Sequence, residues 1–356
     1  MAGPTISLVG GKSVGGLFPC FIIAEIGQNH QGSINIAKKL IHIAKECGAD
    51  CVKFQKSCLA EKFTEGALAR PYTSPHSWGE TYGQHKQFLE FSLDQYRELQ
   101  KYSQDIGIMF SASGMDSVSI TFLDSIEVPF IKIGSGDADN LLLIEEAAKL
   151  NKPLFISTGM QDMEDVCRLH EVVRRSRDGN CQMALLHCVS AYPAPATSIN
   201  LRVLSEYQHR FPDTVIGYSG HELGTAISVA AVSLGAKIIE RHLTLSKQWK
   251  GSDHCCSLEP DEFKQMVKDI RTVEQALGSP VKQFLSCERS CYQKLGKSIV
   301  AARDLTSGSV LTQESVKIKV SEPSGLSCKH LSSLLGKTLN KDIKNDEPIL
   351  LDSVSE

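Results

Sequence analysis

VPFIKIGSGDADNLLLIEEAAKLNKPLFISTGM, residues 128–160, decides the fold. Phe130–Ser135 is a short strand-like run, apolar up to Ile133 except for Lys132, that leads into Gly134-Ser135-Gly136. Leu141–Leu150 repeats its apolar residues at helical spacing. Pro153–Thr158 is a second short apolar run that ends in Ser157-Thr158-Gly159. Strand runs that do not alternate are buried on both faces, as in a parallel sheet covered by helices. This stretch therefore reads as strand, helix, strand.

The same unit recurs on both sides. Towards the N-terminus, Phe21–Ile26 precedes a helix over Ile34–Cys47. Cys51–Gln55 leads, through a polar insertion at about 58–91, to a helix over Leu93–Ile106, and Ile108–Ser113 to Ser117–Ile126. Beyond the opening stretch, Pro153–Thr158 is followed by Met163–Ser176, Met183–Ser190 by Leu201–Phe211, Thr214–Ser219 by Thr225–Leu234 and Lys237–Thr244 by Pro260–Leu277. Eight such pairs predict an α/β fold, a closed (β/α)8 TIM barrel rather than an open sheet. Residues 5–19 are glycine-rich and precede the first pair; a hairpin closing the bottom of the barrel is expected there.

A barrel of typically ~250 residues does not account for a chain of 356 residues. After Gly278 the pattern stops. Leu295-Gly296-Lys297-Ser298 with Asp304-Leu305 resembles Leu335-Gly336-Lys337-Thr338 with Asp342-Ile343. Two copies are too few for a solenoid and predict a small pseudo-symmetric β-rich domain. The expected division is a barrel domain with its hairpin at 1–280, a linker at 281–294 and a β-rich domain at 295–356.

The charge is nearly balanced, Lys+Arg 38 against Asp+Glu 41, which speaks against a nucleic-acid binder. No apolar run reaches membrane-spanning length. The twelve cysteines are spread along the chain with no CxxC, which reads as reduced packing thiols rather than a disulfide framework. No signal peptide is visible, so a cytoplasmic location is expected.

In a barrel the chemistry sits at the C-terminal strand ends. Those ends carry Glu25, Lys53 and Gln55, Ser113, Lys132 and Ser135, Ser157, Ser190 and Tyr192, Ser219 and His221, then Glu240 and His242, with Asp253 in the following loop. Residues two apart share a strand face, so Lys53 pairs with Gln55 and Glu240 with His242. An unpaired buried ammonium costs several kcal/mol, so Lys53 and Lys132 need anionic company. With the serines and with Gly134, Gly136 and Gly159 they suit a phosphate or carboxylate. Schiff-base chemistry at one lysine and a purely structural ion pair with Glu25 or Glu240 are the alternatives. His221 and His242 end neighbouring strands and suit a divalent metal with carboxylate and water. His30, His187 and His254 are further candidates for the same mouth. The insertion reads as a solvated loop or a lid.

The combination of Ala24-Glu25-Ile26-Gly27-Gln28-Asn29-His30, Val52-Lys53-Phe54-Gln55, Ile131-Lys132-Ile133-Gly134-Ser135-Gly136, Ser157-Thr158-Gly159, Gly217-Tyr218-Ser219-Gly220-His221 and Glu240-Arg241-His242 resembles the sialic acid synthases. The resemblance covers essentially the whole chain. Ala112–Asp116 and Trp249–His254 are similar to the animal members.

The resemblance implies a TIM barrel followed by an SAF domain, which is similar to type III antifreeze protein. It implies condensation of phosphoenolpyruvate with N-acetylmannosamine 6-phosphate, or a related mannose derivative, to N-acetylneuraminate 9-phosphate and phosphate, with metal assistance and C–O cleavage. The same reaction on the unphosphorylated sugar, or an aldolase using pyruvate, stands as the alternative. It also implies a domain-swapped homodimer in which each C-terminal domain covers the partner's barrel mouth.

The residue roles implied are His221 and His242 for manganese or magnesium, and Glu25 for the proton of water. Lys53, Ser113, Lys132, Ser135, Ser157, Ser190 and Ser219 would bind phosphoenolpyruvate; Gln55, Tyr192, Glu240 and Asp253 would face the sugar or metal-bound water. Two positions depart from bacterial members: Ser190 replaces asparagine, and Glu322-Pro323 replaces an Arg-Pro pair. A sugar 6-phosphate then needs other basic contacts, for which Arg70, His76 and Lys86 are the candidates.

Overall fold

The computed structural model describes residues 3–150, 152–177 and 182–355. It falls into two compact units, Met1–Gly278 and Ser279–Glu356.

In the first unit a two-stranded hairpin, β1 (Thr5–Ser7) and β2 (Ser13–Gly15), precedes the barrel strands β3 (Phe21–Gly27), β4 (Cys51–Lys56), β5 (Met109–Gly114), β6 (Ile131–Ile133), β7 (Leu154–Ser157), β8 (Met183–Cys188), β9 (Val215–Gly220) and β10 (Ile238–His242). These eight pair in parallel, and β10 pairs with β3 to close the barrel. The predicted TIM barrel is therefore the observed fold. Outward strand residues such as Ile22, Val52 and Ile239 pack under the helices, with Leu40, Leu99 and Phe263. Helix starts follow local capping: Ser33, Ser92, Asp116 and Asp162 each accept a backbone N–H of the first turn.

The inner positions at the N-terminal ends are apolar. Phe21, Ile23, Cys51, Phe130, Phe155, Ala184, Leu186 and Ile238 form one cluster with Ile6, Leu8 and Val14 of the hairpin. The hairpin thus closes the bottom, as its position before the first strand led one to expect. The Phe130 and Phe155 rings stack with centroids 4.1 Å apart.

The insertion after β4 is not an irregular loop. It folds into three short helices, Leu59–Lys62, Glu65–Ala69 and Tyr82–Leu89, with a bridge between Pro71 and Thr81. Helices this short bury no continuous apolar stripe, so the sequence showed no helical period.

The second unit contains β11 (Ser298–Ala301) antiparallel to β12 (Val316–Lys319), around a core of Ile299, Leu305, Leu311, Leu334, Leu339, Ile343 and Ile349. Its near-repeat has structural meaning. Leu305 and Ile343 occupy equivalent positions in the two copies and exchange backbone hydrogen bonds of 2.8 and 2.9 Å. Among the described residues no helix is long and apolar enough to cross a membrane.

Candidate active site

The C-terminal strand ends surround a cavity of about 480 Å³. Glu25, Lys53, Gln55, Ser113, Lys132, Ser135, Ser157, Ser190, Tyr192, Ser219, His221, Glu240, His242 and Asp253 all line it. Alternation brings them there: register sets Glu25 beside Lys53 and His242, and Ser113 beside Gln55 and Lys132.

The centre of the mouth is a buried ionic array. Lys53 Nζ lies 2.6 Å from Glu25 Oε2 and donates to Ser113 Oγ at 2.9 Å. Lys132 Nζ donates to Ser157 Oγ at 2.7 Å and to the Ile133 carbonyl at 2.9 Å. Glu240 sits between the two ammoniums, 3.9 Å from each, and accepts from Ser219 Oγ. Burial pushes the Glu25 carboxyl up to about 7; Lys53 opposes that and Glu240 adds to it. Burial works the same way on Glu240, but the two lysines outweigh it and hold this carboxyl below its usual range. Adjacent carboxylates thus differ in proton affinity, a pattern suited to proton transfer near neutral pH.

Two glycines make the geometry possible. Gly27 has φ +54°, and a Cβ there would press on Glu25, Gln55 and His242 at 3.1–3.3 Å. A Cβ on Gly159 would stand 2.3 Å from Ser190 Oγ and 2.7 Å from Ser135 Oγ. Ser135 Oγ instead accepts the Gly159 N–H at 3.0 Å. The buried Ser190 hydroxyl has no hydrogen-bond partner and faces the cavity.

The His221 and His242 rings lie 5.4 Å apart. His221 Nδ1 lies 3.0 Å from the Val189 carbonyl, which fixes its proton there and leaves Nε2 with a lone pair. Buried His242 Nδ1 has no hydrogen-bond partner, and burial lowers this imidazole to about 4, keeping it neutral. Burial works to lower the His221 imidazole, but Cys188 and the Val189 carbonyl outweigh it and hold the ring above its usual range. With Nδ1 of His242 unpartnered and Nε2 of His221 left over by the Val189 bond, the pair fits a divalent metal, which displaces a ring proton and whose other positions go to water and substrate oxygens. Among the described residues no third His, Cys, Asp or Glu completes a closed cluster with them, so the fit is to an open site.

One residue from the helix-facing side of β10 holds this pair. Arg241 is fully buried and donates to Glu222 Oε1 at 2.8 Å, to Ser228 Oγ at 2.8 Å and to the carbonyls of Gly224 and Glu222. Tyr218 donates to the other Glu222 oxygen at 2.6 Å. Arg241 and Glu222 are the chain neighbours of His242 and His221, so this clamp ties the two strand ends together.

Several sequence expectations are corrected. His30 stacks on Phe91 at 4.1 Å and accepts from the Gly32 N–H; His187 meets the Ile199 carbonyl, and His254 meets Thr244 Oγ1. None lines the mouth cavity, because each ring is committed to packing or a local hydrogen bond. Arg70 is exposed and stacks over Tyr82, while His76 accepts the Gly251 N–H; only Lys86 of the three basic candidates reaches the cavity. The cysteines are not all packing residues: Cys255, Cys287, Cys291 and Cys328 are exposed. Cys188 is a cavity residue that sequence reasoning missed. Burial alone would raise its thiol, but His221, with its ring nitrogen 3.8 Å from Sγ, holds it below the usual range. Its place two residues beyond Leu186 on an inward face was the available signal. Lys62, at the end of a helix in the insertion, is also in the lining and had no periodic signal to reveal it.

The NeuB family model matches residues 40–282, and the SAF domain matches residues 296–355. The chain is 54% identical over 345 residues to N-acetylneuraminate-9-phosphate synthase of Homo sapiens, covering 97% of this chain and 95% of the human one. It is 50% identical over 370 residues to the enzyme of the same name in Drosophila melanogaster, covering 98% of each. Among solved structures, the N-acetylneuraminic acid (sialic acid) synthetase of Leptospira borgpetersenii serovar Hardjo-bovis, in complex with citrate, superposes with a TM-score of 0.69 at 28% identity, covering 82% of this chain and 97% of that one. A closed barrel with this mouth, a family match over most of the chain and relatives alike from end to end converge: the chain is an enzyme of the NeuB family, the sialic acid synthases, with an SAF domain at its C-terminal end.

Proposed function

We propose that the chain condenses phosphoenolpyruvate with N-acetylmannosamine 6-phosphate, giving N-acetylneuraminate 9-phosphate and phosphate. One observation carries the reading. A lysine and serine cradle for an anion shares a cavity with two strand-end histidines, His242 with its Nδ1 unpartnered and His221 with its Nδ1 on the Val189 carbonyl. The names of the human and fly relatives support the phosphorylated acceptor.

Lys53 and Lys132, with Ser113, Ser135, Ser157, Ser190 and Ser219, hold the charged groups of phosphoenolpyruvate and present its C3 to the acceptor aldehyde. Gln55, Tyr192, Glu240 and Asp253 face the sugar. His221 and His242 would hold manganese or magnesium, which when bound supplies Lewis acidity to the aldehyde oxygen. The bond from C3 to the aldehyde carbon forms, and the aldehyde oxygen ends as a hydroxyl. Glu25 takes a proton from the water that adds at C2. The C2–O bond to phosphorus then breaks, C2 becomes a ketone, and phosphate leaves. The water oxygen remains in the ketone; its protons end on the new hydroxyl and on phosphate.

The test is phosphate release from phosphoenolpyruvate plus N-acetylmannosamine 6-phosphate. Chelation is expected to abolish it and manganese or magnesium to restore it. Full activity after verified metal removal, or product from pyruvate with a borohydride-trapped lysine adduct, would overturn the mechanism.

We also infer a domain-swapped homodimer, each SAF domain over the partner's barrel mouth. Exposed Val281, Phe284, Leu285 and Tyr292 of the linker, with Leu295 directly after it, support it, since so much adjoining apolar surface calls for cover. A sedimentation mass of a single 39.0 kDa chain would refute it. The reading places the enzyme in the cytoplasm, where thiols stay reduced.

A further inference from the structure

The insertion brings two lysines to the mouth that the chemistry above leaves without a role. Lys62 closes the helix Leu59–Lys62, and Lys86 lies one turn after Tyr82 on the helix Tyr82–Leu89. Aromatic packing joins the two helices: the Phe63 and Tyr82 rings meet edge to face, centroids 5.5 Å apart. The Lys62 ammonium rests 5.6 Å from the Phe63 centroid and the Lys86 ammonium 5.5 Å from that of Tyr82. Both side chains line the same cavity as Lys53 and the histidines.

Neither ammonium is satisfied where it stands. Each has three N–H donors to place. The carboxylate nearest Lys62 is Asp137, at 3.8 Å, too long for a hydrogen bond. Lys86 donates to the neutral amide oxygen of Gln28 at 3.2 Å. By contrast, Lys56 just outside the mouth has a carboxylate contact, Glu90, at 2.6 Å. Burial pulls both insertion lysines below their usual range; Asp137 opposes this for Lys62 and Lys86 adds to it, while Asp253 opposes it for Lys86. Asp253 also engages His242 and its neighbour Ser252. Two partly desolvated cations on one wall of a polar cavity are arranged for a bound anion.

We propose that Lys62 and Lys86 form the subsite for the phosphate group of the acceptor sugar. The inference rests on the acceptor being a sugar phosphate, as proposed above. The deep cradle around Lys53 and Lys132 is occupied by phosphoenolpyruvate in that scheme, so the second phosphate needs a second pair of cations. In an open-chain sugar that phosphate lies at the end remote from the aldehyde. The insertion follows β4 whereas the histidines end β9 and β10, so different arcs of the barrel meet the two ends of the substrate.

The experiment compares kcat/KM for N-acetylmannosamine 6-phosphate and for N-acetylmannosamine in wild type, Lys62→Gln, Lys86→Gln and the double variant. The ratio favouring the phosphorylated sugar is expected to fall at least about tenfold for each lysine lost, as for a charged hydrogen bond removed. Arginine at either position should restore part of it. A wild-type enzyme that uses only the free sugar would overturn the acceptor assignment, and the subsite with it. Use of the 6-phosphate with a ratio unmoved in the variants would overturn the subsite alone. Should the variants not fold, amine acetylation of wild type read by mass spectrometry decides. The 6-phosphate, not the free sugar, is expected to protect Lys62 and Lys86, and equal labelling in both would overturn the proposal.

Discussion

The same strands build two opposite interiors. At the closed end the inward positions are Phe21, Cys51, Phe130, Phe155, Leu186 and Ile238. Two or four residues further along they are Glu25, Lys53, Lys132, Ser157, Cys188, and Glu240 with His242. Nothing in the backbone distinguishes the two levels, since both obey the period of two. Side-chain chemistry alone turns one level into packing and the next into a polar cavity. The closed end holds the barrel together through apolar area removed from water. The open end accepts buried ions that do little for stability, because desolvation offsets their attraction. A mutation at one level should therefore leave the property of the other largely intact.

Glu25→Gln at the open end is expected to have the largest effect. It removes a proton acceptor while keeping the shape, so kcat should fall by about 10²–10⁴, the usual contribution of general acid–base catalysis. The pH profile gives the sign. Only the carboxylate accepts a proton, and the carboxyl sits at about 7 because it is buried. The wild-type rate should rise with pH through that value and then level off. In Glu25→Gln this limb should vanish. A variant that keeps both rate and limb would take Glu25 out of the chemistry.

Phe130→Ala tests the closed end. Phe130 is fully buried, stacked on Phe155 and edge-on to Phe21 at 6.2 Å. Truncation of such a ring costs about 3–5 kcal/mol of stability. Denaturant unfolding should show that loss, while kcat per folded molecule stays near wild type. A large fall in kcat without loss of stability would break the separation between the two levels.

How much of this was legible before the structure follows from the same period of two. Continuous apolar runs such as Met183–Leu186 announced strands buried on both faces, and eight repeats announced closure. Polar residues at the strand ends then pointed to the mouth, which is why Lys53, Lys132, Glu240 and His242 were readable. The insertion was not, because helices of four, five and eight residues carry too few turns for a periodic signal. Lys62 therefore went unseen. The individual histidines were legible only as candidates: whether a ring faces a cavity or stacks on Phe91, as His30 does, depends on tertiary packing.

Arg241 shows where the period of two carries information that a motif conceals. Within Glu240-Arg241-His242 it reads as one more polar residue of the mouth, yet alternation turns it away from Glu240 and His242. Its two terminal nitrogens donate to Glu222, Ser228 and two carbonyls. Its distance from the cavity predicts a graded effect rather than loss of activity. Glu222→Gln keeps the volume but removes the charge that faces the buried guanidinium. The two histidine-bearing strand ends should then be held less firmly, and outer-shell changes of this kind typically lower metal affinity by about 10–100-fold. Metal titration of the variant should show the weakening directly, with kcat recovering at saturating metal and the KM for phosphoenolpyruvate little changed. A merely structural role would lower the unfolding midpoint and leave metal affinity alone, which would confine the clamp to the packing that surrounds the barrel. Recovery of kcat with excess metal would instead make Arg241 and Glu222 positioning residues, joining the outward face of β10 to the chemistry on its inward face.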